Sequence, residues 1–261
     1  MPDAMSAAEE SSSKPYDQFV LFGDSITQMS SSQDQEFGFQ PALQDAYSRA
    51  LDVINRGFGG YTTAHAVKVF PKFFPTPEIA TVRFLTIWFG ANDASLLESN
   101  NKQHVPLDVY KRNLASLVRH PATVAQQPRI LIITPTPVNE YQLQSFDEEK
   151  GNVHPTRTNS HTRKYAQAAR EVAESLNIPV VDLWTAFMTA VGWKDGDPLI
   201  GSREVPNHEK FASLFTDGLH LTADGYRIVY DKVVEAIQTN WPDQAPGKLP
   251  YVHPPWMEAP K

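Results

Sequence analysis

A serine, an aspartate and a histidine are spaced along this chain as a nucleophile and its proton relay would be. Ser25 lies in "FVLFGDSITQ", where a run of apolar residues leads into Gly-Asp-Ser. Asp217 and His220 lie three residues apart in "FTDGLHLTADGY". On one turn of helix or in a tight loop, this spacing puts both side chains on the same side. The carboxylate would then hold the imidazole so that it accepts the serine proton. We therefore predict that Ser25 is a nucleophile, with Asp217 and His220 as its catalytic partners.

Donors for a negatively charged oxygen come from two other stretches, "NRGFGGYTT" at residues 55–63 and "GAND" at residues 90–93. Acyl transfer needs such donors, because negative charge develops on the oxygen of the attacked carbonyl. Ser25 offers its own N–H at the start of a helix. Gly60 lets the backbone approach a substrate without a side chain in the way, and Asn92 offers an amide NH₂. These three residues form the predicted oxyanion hole.

The elements that must position these residues can be read from the apolar pattern. Five apolar runs of strand length alternate with stretches of helical period, which predicts one doubly wound α/β domain. The runs are continuous, as is typical of parallel strands that are covered on both faces. The predicted strands are residues 19–22, 52–55, 83–89, 130–133 and 179–183, and the predicted helices are residues 39–50, 61–74, 110–118, 165–176 and 223–237, the last with Thr222 as N-cap. Three stretches show no readable period, namely residues 95–107, 139–160 and 194–214.

The ends of the first three strands are where the candidate side chains are expected to meet. In an open parallel sheet, ligands bind outside the carboxyl ends of the strands, at the point where the strand order reverses. In the order 2-1-3-4-5, the first strand lies between the second and the third, about 4.8 Å from each. Ser25 then lies between the glycine-rich loop and Asn92, so the sequence predicts one shared site.

The composition is that of an ordinary globular protein and narrows the classes of function. The chain has 261 residues, of which 41% are hydrophobic and 20% are charged. Its net charge of −7 argues against a nucleic-acid partner, because there is no basic surplus to neutralise phosphates. The chain has no cysteine, which excludes disulfides, thiolate catalysis and cysteine-ligated metal. None of its eight histidines shows a metal-ligand spacing, so we expect no metal site.

The two ends of the chain differ from its middle. Residues 1–15 are small, polar and acidic, which predicts a disordered tail, and they lack the basic start and apolar run of a secretory signal. No apolar segment approaches the ~18 residues of a membrane helix, so we expect no stable membrane insertion and a cytoplasmic location. Residues 16–240 are the predicted domain. Residues 241–261 combine prolines with aromatics, and we expect this extension to dock on the body or on a partner subunit, which leaves a homodimer open.

Taken together, these stretches resemble the SGNH (GDSL-type) hydrolase superfamily. Its serine, glycine, asparagine and Asp-x-x-His blocks are similar to "FGDSIT", "NRGFGGYTT", "GAND" and "DGLH", which occur in order across residues 23–220. The chain is most similar to the isoamyl acetate-hydrolysing esterase group, through "RGFGGYTT", "TPTPVNE" at residues 134–140 and the "NWPDQAPGKLPYVHPPW" end. The resemblance implies a flavodoxin-like three-layer α/β/α sandwich with a five-stranded parallel sheet. It also implies a serine esterase that uses no cofactor and takes a small acetate or short-chain ester as substrate.

The resemblance also bears on the residues around the glycine donor. The glycine block of the family has a glycine five positions after its asparagine, and Asn55 sets that register. Gly60 is therefore preferred as the oxyanion donor, with Gly59 as the alternative. Phe58 and Tyr61 flank this glycine and are the candidates for lining the substrate site.

Two kinds of alternative function remain. Within the same fold, a carbohydrate acetyl esterase or a lysophospholipase-like hydrolase would share the motif blocks. From another class, a flavodoxin-like binding protein for a small molecule, without catalysis, would share the five-strand pattern. Its usual phosphate-binding loops are missing, because no Gly-x-Gly-x-x-Gly follows the first strand and no Gly-Lys-Ser/Thr occurs.

Overall fold

The computed structural model describes residues 15–152 and 154–259. At its centre lies a parallel sheet of five strands in the order β2-β1-β3-β4-β5, which confirms the predicted sheet. Of the predicted tail, residues 1–14 lie outside the described residues. The strands are β1 (Asp17–Gly23), β2 (Leu51–Gly57), β3 (Val82–Trp88), β4 (Arg129–Ile133) and β5 (Val180–Val181).

Helices cover both faces of this sheet and complete the three-layer fold. In β1, Phe19 and Leu21 belong to one apolar core, whereas Val20 and Phe22 belong to a second core on the opposite face. The helices in the described part of the chain are α1 (Ser25–Met29), α2 (Phe39–Ala46), α3 (Thr63–Phe73), α4 (Leu107–Val118), α5 (Pro121–Gln126), α6 (Glu140–Glu149), α7 (Asn159–Ser175), α8 (Leu183–Ala190), α9 (Glu209–Ala212) and α10 (Ala223–Asn240). Helices α2, α8 and α10 pack on the first core, and α3, α4 and most of α7 pack on the second.

The register of the central strands brings the predicted site residues to one edge of the sheet. Gly23 at the end of β1 is the partner of Gly57 in β2 and of Trp88 in β3. The chain therefore leaves these three strands at the same level. The segments that follow contain Ser25, the glycine-rich loop and Asn92, so the topology places all three side by side.

The last strand is shorter than the sequence predicts. Its pairing with β4 covers only two residues. The side chain of Asp182 accepts a hydrogen bond from the N–H of Thr185 at 3.2 Å and so caps α8. Helix α8 therefore begins where the predicted strand would have continued.

Several helices also differ from the sequence prediction, since α2 ends at Ala46 instead of residue 50 and α7 begins at Asn159 instead of residue 165. Helix α6 forms inside residues 139–160, where no period is readable, because Asn139 caps it and accepts a hydrogen bond from the N–H of Tyr141 at 3.0 Å. Pro71 lies inside α3, in its last turn. The helix tolerates it because the closing hydrogen bond of the last turn runs from Phe74 and does not need a donor from the proline.

The C-terminal segment contacts the body of the domain. Trp241 packs edge-on against Phe84 of β3, with the ring centroids 5.9 Å apart. The guanidinium of Arg49 donates to the backbone carbonyls of His253 at 3.1 Å and Pro254 at 2.7 Å. Among the helices that the structure describes, none is both long enough and apolar enough to cross a membrane.

Candidate active site

Ser25 is the first residue of α1, directly after the end of β1. Asp24 is the N-cap of that helix, and its Oδ1 accepts a hydrogen bond from the N–H of Ile26 at 2.9 Å. This bond stabilises the turn that separates β1 from α1. The turn presents the serine hydroxyl in a cavity at the carboxyl edge of the sheet.

The predicted catalytic side chains meet in a hydrogen-bonded chain. Ser25 Oγ lies 2.9 Å from His220 Nε2, although the two residues are 195 positions apart in sequence. His220 Nδ1 lies 2.6 Å from Asp217 Oδ2. A carboxylate can only accept, so Nδ1 carries the proton that it donates to Asp217, and Nε2 is free to accept the serine proton.

Asp217 and His220 lie in a tight turn, not on a helix. The turn is closed by a bridge between Phe215 and Leu221. Oδ1 of Asp217 accepts from the backbone N–H groups of Leu219 at 2.9 Å and His220 at 2.8 Å, so the carboxylate is fixed by its own turn. Burial acts to raise the pKa of Asp217, but the hydrogen bonds from His220 and the turn outweigh it and hold the pKa below its usual value. The carboxylate therefore stays ionised beside the imidazole.

The glycine-rich loop supplies one backbone donor to the cavity. Gly60 has φ of +77° and lines the cavity together with Ser25 and His220. The N–H of Gly59 is already used, since it donates to Oε1 of Gln28 at 2.7 Å. Among the described residues, no acceptor lies within hydrogen-bond distance of the N–H of Gly60. The geometry thus favours Gly60 over Gly59 as the oxyanion donor.

Asn92 is almost fully buried and also lines the cavity. Its Nδ2 donates to the carbonyl of Tyr61 at 2.9 Å, and its Oδ1 accepts from the guanidinium of Arg157 at 2.9 Å. Arg157 was not among the predicted site residues. It lies 65 positions from Asn92 in the irregular segment before α7, where no motif singles it out.

The cavity around Ser25 has a volume of about 590 Å³. Apolar contacts to a substrate are available from Met29, Phe146 and Leu219. The other lining residues are Ser25, Gly60, Asn92, Asn100, Asn101, Gln103, Asp147, Lys150, Gly151, Asn152, Thr156, Arg157 and His220.

The two aromatic residues proposed for the substrate site do not line this cavity. The rings of Phe58 and Tyr61 stack on each other with centroids 5.1 Å apart. Both pack on the second core, where Phe58 contacts Phe22 and Phe73. Their apolar surface thus fixes the glycine-rich loop on the sheet. The residue of this loop that lines the cavity is Gly60, which has no side chain.

Two buried carboxyl groups lie next to the site. Burial raises the pKa of Asp24 to about 6 and that of Asp93 to about 7. Asp93 accepts hydrogen bonds from the N–H of Thr63, at 2.9 and 3.2 Å, and from its hydroxyl. It therefore ties the start of α3 to the loop after β3, and Asp24 caps α1. Both residues support the segments that hold the catalytic groups.

A match to a family model identifies the family of this chain. The model of the GDSL-like lipase/acylhydrolase family matches residues 21–228. The chain belongs to this family. Membership of the GDSL-like family makes it an ester-hydrolysing enzyme, and the resemblance stated from the four motif blocks is confirmed.

Relatives of similar length support the assignment to the GDSL-like family. A GDSL esterase/lipase of Arabidopsis thaliana is 37% identical over 245 residues, which cover 90% of this chain and 91% of the relative. The isoamyl acetate-hydrolyzing esterase 1 homolog of Mus musculus is 35% identical over 241 residues, covering 92% of this chain and 86% of the relative.

Solved structures show the same fold. A lipase/acylhydrolase from Enterococcus faecalis superimposes with a TM-score of 0.60 at 24% identity, over 85% of this chain and 96% of that one. The acetylxylan esterase Axe2 from Geobacillus stearothermophilus superimposes with a TM-score of 0.59 at 20% identity, over 86% of this chain and 95% of that one.

Proposed function

We propose that this GDSL hydrolase cleaves small carboxylic esters, of the acetate or short-chain type, through an acyl-enzyme formed on Ser25. The observation that carries this proposal is the hydrogen-bonded chain from Ser25 through His220 to Asp217. It opens into the cavity that Gly60 and Asn92 also line. A hydroxyl without an adjacent base is a poor nucleophile, and this arrangement provides the base.

The catalytic cycle follows from the positions of these groups. Ser25 Oγ attacks the acyl carbonyl while His220 Nε2 takes the hydroxyl proton. The N–H groups of Ser25 and Gly60 and the amide of Asn92 stabilise the resulting oxyanion. His220 then gives the proton to the departing alcohol, which leaves the acyl group on Ser25. Water activated by the same imidazole attacks the acyl-enzyme and releases the acid, which restores Ser25.

A short acyl chain is supported by the size and lining of the cavity. The volume of about 590 Å³ is shared by the acyl group and the alcohol. Among the described residues, its apolar contacts come from the side chains of Met29, Phe146 and Leu219, so these offer little apolar surface to a long chain. The mouse relative whose name refers to isoamyl acetate supports the same substrate class.

A second candidate substrate is an acetyl ester of a carbohydrate. Besides Asn92, four amide side chains line the cavity, those of Asn100, Asn101, Gln103 and Asn152. Amides both donate and accept hydrogen bonds, which suits an alcohol with several hydroxyl groups. This lining favours a polar leaving group over a lipid, so the lysophospholipase-like alternative is the weaker one.

The experiment is a screen of p-nitrophenyl esters from acetyl to octanoyl, with an acetylated xylo-oligosaccharide alongside. We expect kcat/KM to be highest for acetyl to butyryl esters and to fall with longer chains. Ser25→Ala should remove the activity on every ester while its unfolding transition matches that of the wild type. Unchanged turnover by Ser25→Ala would contradict the mechanism, and a preference for octanoyl would contradict the substrate class.

A further inference from the structure

Arg157 is a buried cation that bonds to three segments around the cavity. Only 4% of the surface of Arg157 is exposed. Nε donates to the backbone carbonyl of Ala91 at 2.6 Å. One terminal nitrogen donates to Oδ1 of Asn92 at 2.9 Å and to Oε1 of Gln103 at 3.0 Å, and the other donates to the hydroxyl of Thr156 at 3.1 Å.

This arginine is not held by a direct ion pair. Within residues 15–152 and 154–259, no carboxylate oxygen lies within 4 Å of its guanidinium. Burial lowers the pKa of Arg157 to about 10, and the group remains charged at neutral pH. Burying a charge without a directly paired opposite charge costs free energy that hydrogen bonds offset only in part, so the site keeps this residue at a cost to stability. We therefore expect Arg157 to act through the groups that accept its hydrogen bonds.

The contact with Asn92 fixes which way the amide of that residue points. A guanidinium can only donate, so the amide atom facing it must be the oxygen and Nδ2 must lie on the other side. One N–H of Nδ2 goes to the carbonyl of Tyr61 at 2.9 Å. The second N–H has no acceptor among the described residues, and Asn92 lines the cavity next to Ser25. Arg157 thus leaves one amide N–H free for the oxyanion.

Gln103 extends the same control to the glycine donor. Its Oε1 accepts from Arg157 at 3.0 Å, and its Nε2 donates to the carbonyl of Gly60 at 3.0 Å. Gly60 has a positive φ of +77°, and because glycine is conformationally permissive, its own preferences do not fix where its N–H points. The same terminal nitrogen of Arg157 therefore contacts Asn92 directly and reaches Gly60 through Gln103.

We infer that Arg157 is a positioning residue that sets the oxyanion donors Asn92, directly, and Gly60, through Gln103, before the substrate binds. This inference rests on the proposed function. The donors act on charge that exists only in the transition state, so their correct placement should appear in kcat and not in KM. The positive charge bonded to Oδ1 also polarises the amide of Asn92 and strengthens its free N–H as a donor.

The test compares Arg157→Met with the wild type on p-nitrophenyl acetate. We expect kcat to fall about 10²-fold, the lower end of the loss seen when one oxyanion donor is removed, with KM changed less than about threefold. A short alkylboronic acid supplies the second readout, because its adduct with Ser25 places a boronate oxygen where the oxyanion forms. Its inhibition constant should rise by about the same factor as kcat falls.

The boronate readout separates positioning from loss of folded protein. If Arg157 served the fold alone, the variant would contain fewer active molecules, which lowers the apparent kcat but leaves the inhibition constant unchanged. Arg170→Met is the matched control, since Arg170 donates to both carboxylate oxygens of Asp182 at 2.9 Å and is not among the residues lining the cavity. It should lose stability and keep both the kcat per folded molecule and the inhibition constant.

The possible outcomes decide between the two proposals. A folded Arg157→Met with kcat and boronate inhibition within threefold of the wild type overturns this inference and leaves the esterase mechanism intact. An active Ser25→Ala overturns both. If Arg157→Met does not fold, Gln103→Met is decisive. It should weaken kcat and boronate binding about 10-fold together through Gly60, and wild-type values in that variant overturn the inference.

Discussion

At the scale of single residues, the orientation of His220 depends on one carboxylate. Asp217 accepts the ring proton at 2.6 Å through Oδ2, and its Oδ1 accepts from two backbone N–H groups of the same turn. The carboxylate is therefore held in place before it orients the ring. This leaves Nε2 as the acceptor that faces Ser25 at 2.9 Å.

Asp217→Asn should lower kcat by about 10⁴-fold, the loss that the equivalent change causes in a serine-protease triad. The amide can turn its NH₂ towards Nδ1, which then accepts a hydrogen bond, so that the ring proton lies on Nε2. That tautomer cannot take the proton of Ser25. Steady-state rates on p-nitrophenyl acetate provide the measurement, with Asp224→Asn as the control, because Asp224 lies on the exposed side of α10. A rate within tenfold of the wild type would mean that another group orients His220.

The sequence pointed to Ser25, Asp217 and His220, which the structure brings together, because each carries a local signature. Ser25 follows an apolar strand, and the Asp-x-x-His spacing fits one turn. Arg157 has no such signature, since its partners Ala91, Asn92 and Gln103 lie 54 to 66 positions away and are met only when the segment before α7 folds against the segment after β3. Phe58 and Tyr61 were placed at the cavity from their closeness to Gly60, but aromatic rings beside a glycine turn pack on the core when a core is available.

At the scale of elements, α10 holds the nucleophile helix in position. Tyr226 on α10 is buried, and its hydroxyl donates to the carbonyl of Ile26 in α1 at 2.7 Å. Helix α1 has only five residues and little stability of its own. Its place beside His220 therefore depends on contacts such as this one.

Tyr226→Phe should lower the free energy of unfolding by about 1–3 kcal/mol, because it leaves the buried carbonyl of Ile26 without this donor. Tyr230→Phe is the control on the same helix, since the Tyr230 hydroxyl makes no hydrogen bond among the described residues. Urea denaturation of both variants gives the comparison. Equal midpoints for Tyr226→Phe and the wild type would show that α1 is fixed by other contacts.

The strands could be predicted because burial on both faces makes them continuous apolar runs, and the long helices because burial of one face imposes a period on them. Helix α10 shows this, with its N-cap at Thr222 and buried residues at Tyr226, Val229, Val233 and Ile237, as the pattern indicates. Helix α6 was missed because only Leu143 and Asp147 are buried in it, which is too few to set a period. Short elements that are fixed by a capping residue leave little trace in the apolar pattern.

At the scale of the whole molecule, the stability should depend on pH through two buried carboxyl groups. The pKa of Asp24 is raised to about 6 and that of Asp93 to about 7, in both cases chiefly by burial, from an ordinary value of 3.8. Between about pH 4 and 7 the folded state therefore keeps protons that the unfolded state has released. The free energy of unfolding should consequently fall as the pH rises through this window.

Asp93→Asn should reduce this slope by roughly 1 kcal/mol per pH unit between pH 4.5 and 6.5, because an amide has no proton to lose there. Urea denaturation at a series of pH values provides the measurement. Asp52→Asn, which changes an exposed carboxyl group, should follow the wild-type curve. Parallel curves for Asp93→Asn and the wild type would contradict the raised pKa of Asp93.

The central claim is that Ser25, activated by His220, is the residue that becomes acylated. The most direct measurement is reaction of the active enzyme with a fluorophosphonate probe, followed by mass mapping of its peptides. We expect a single adduct, located on Ser25, whose formation is suppressed in His220→Ala. Labelling of a different serine, or of Ser25 at an undiminished rate in His220→Ala, would contradict it.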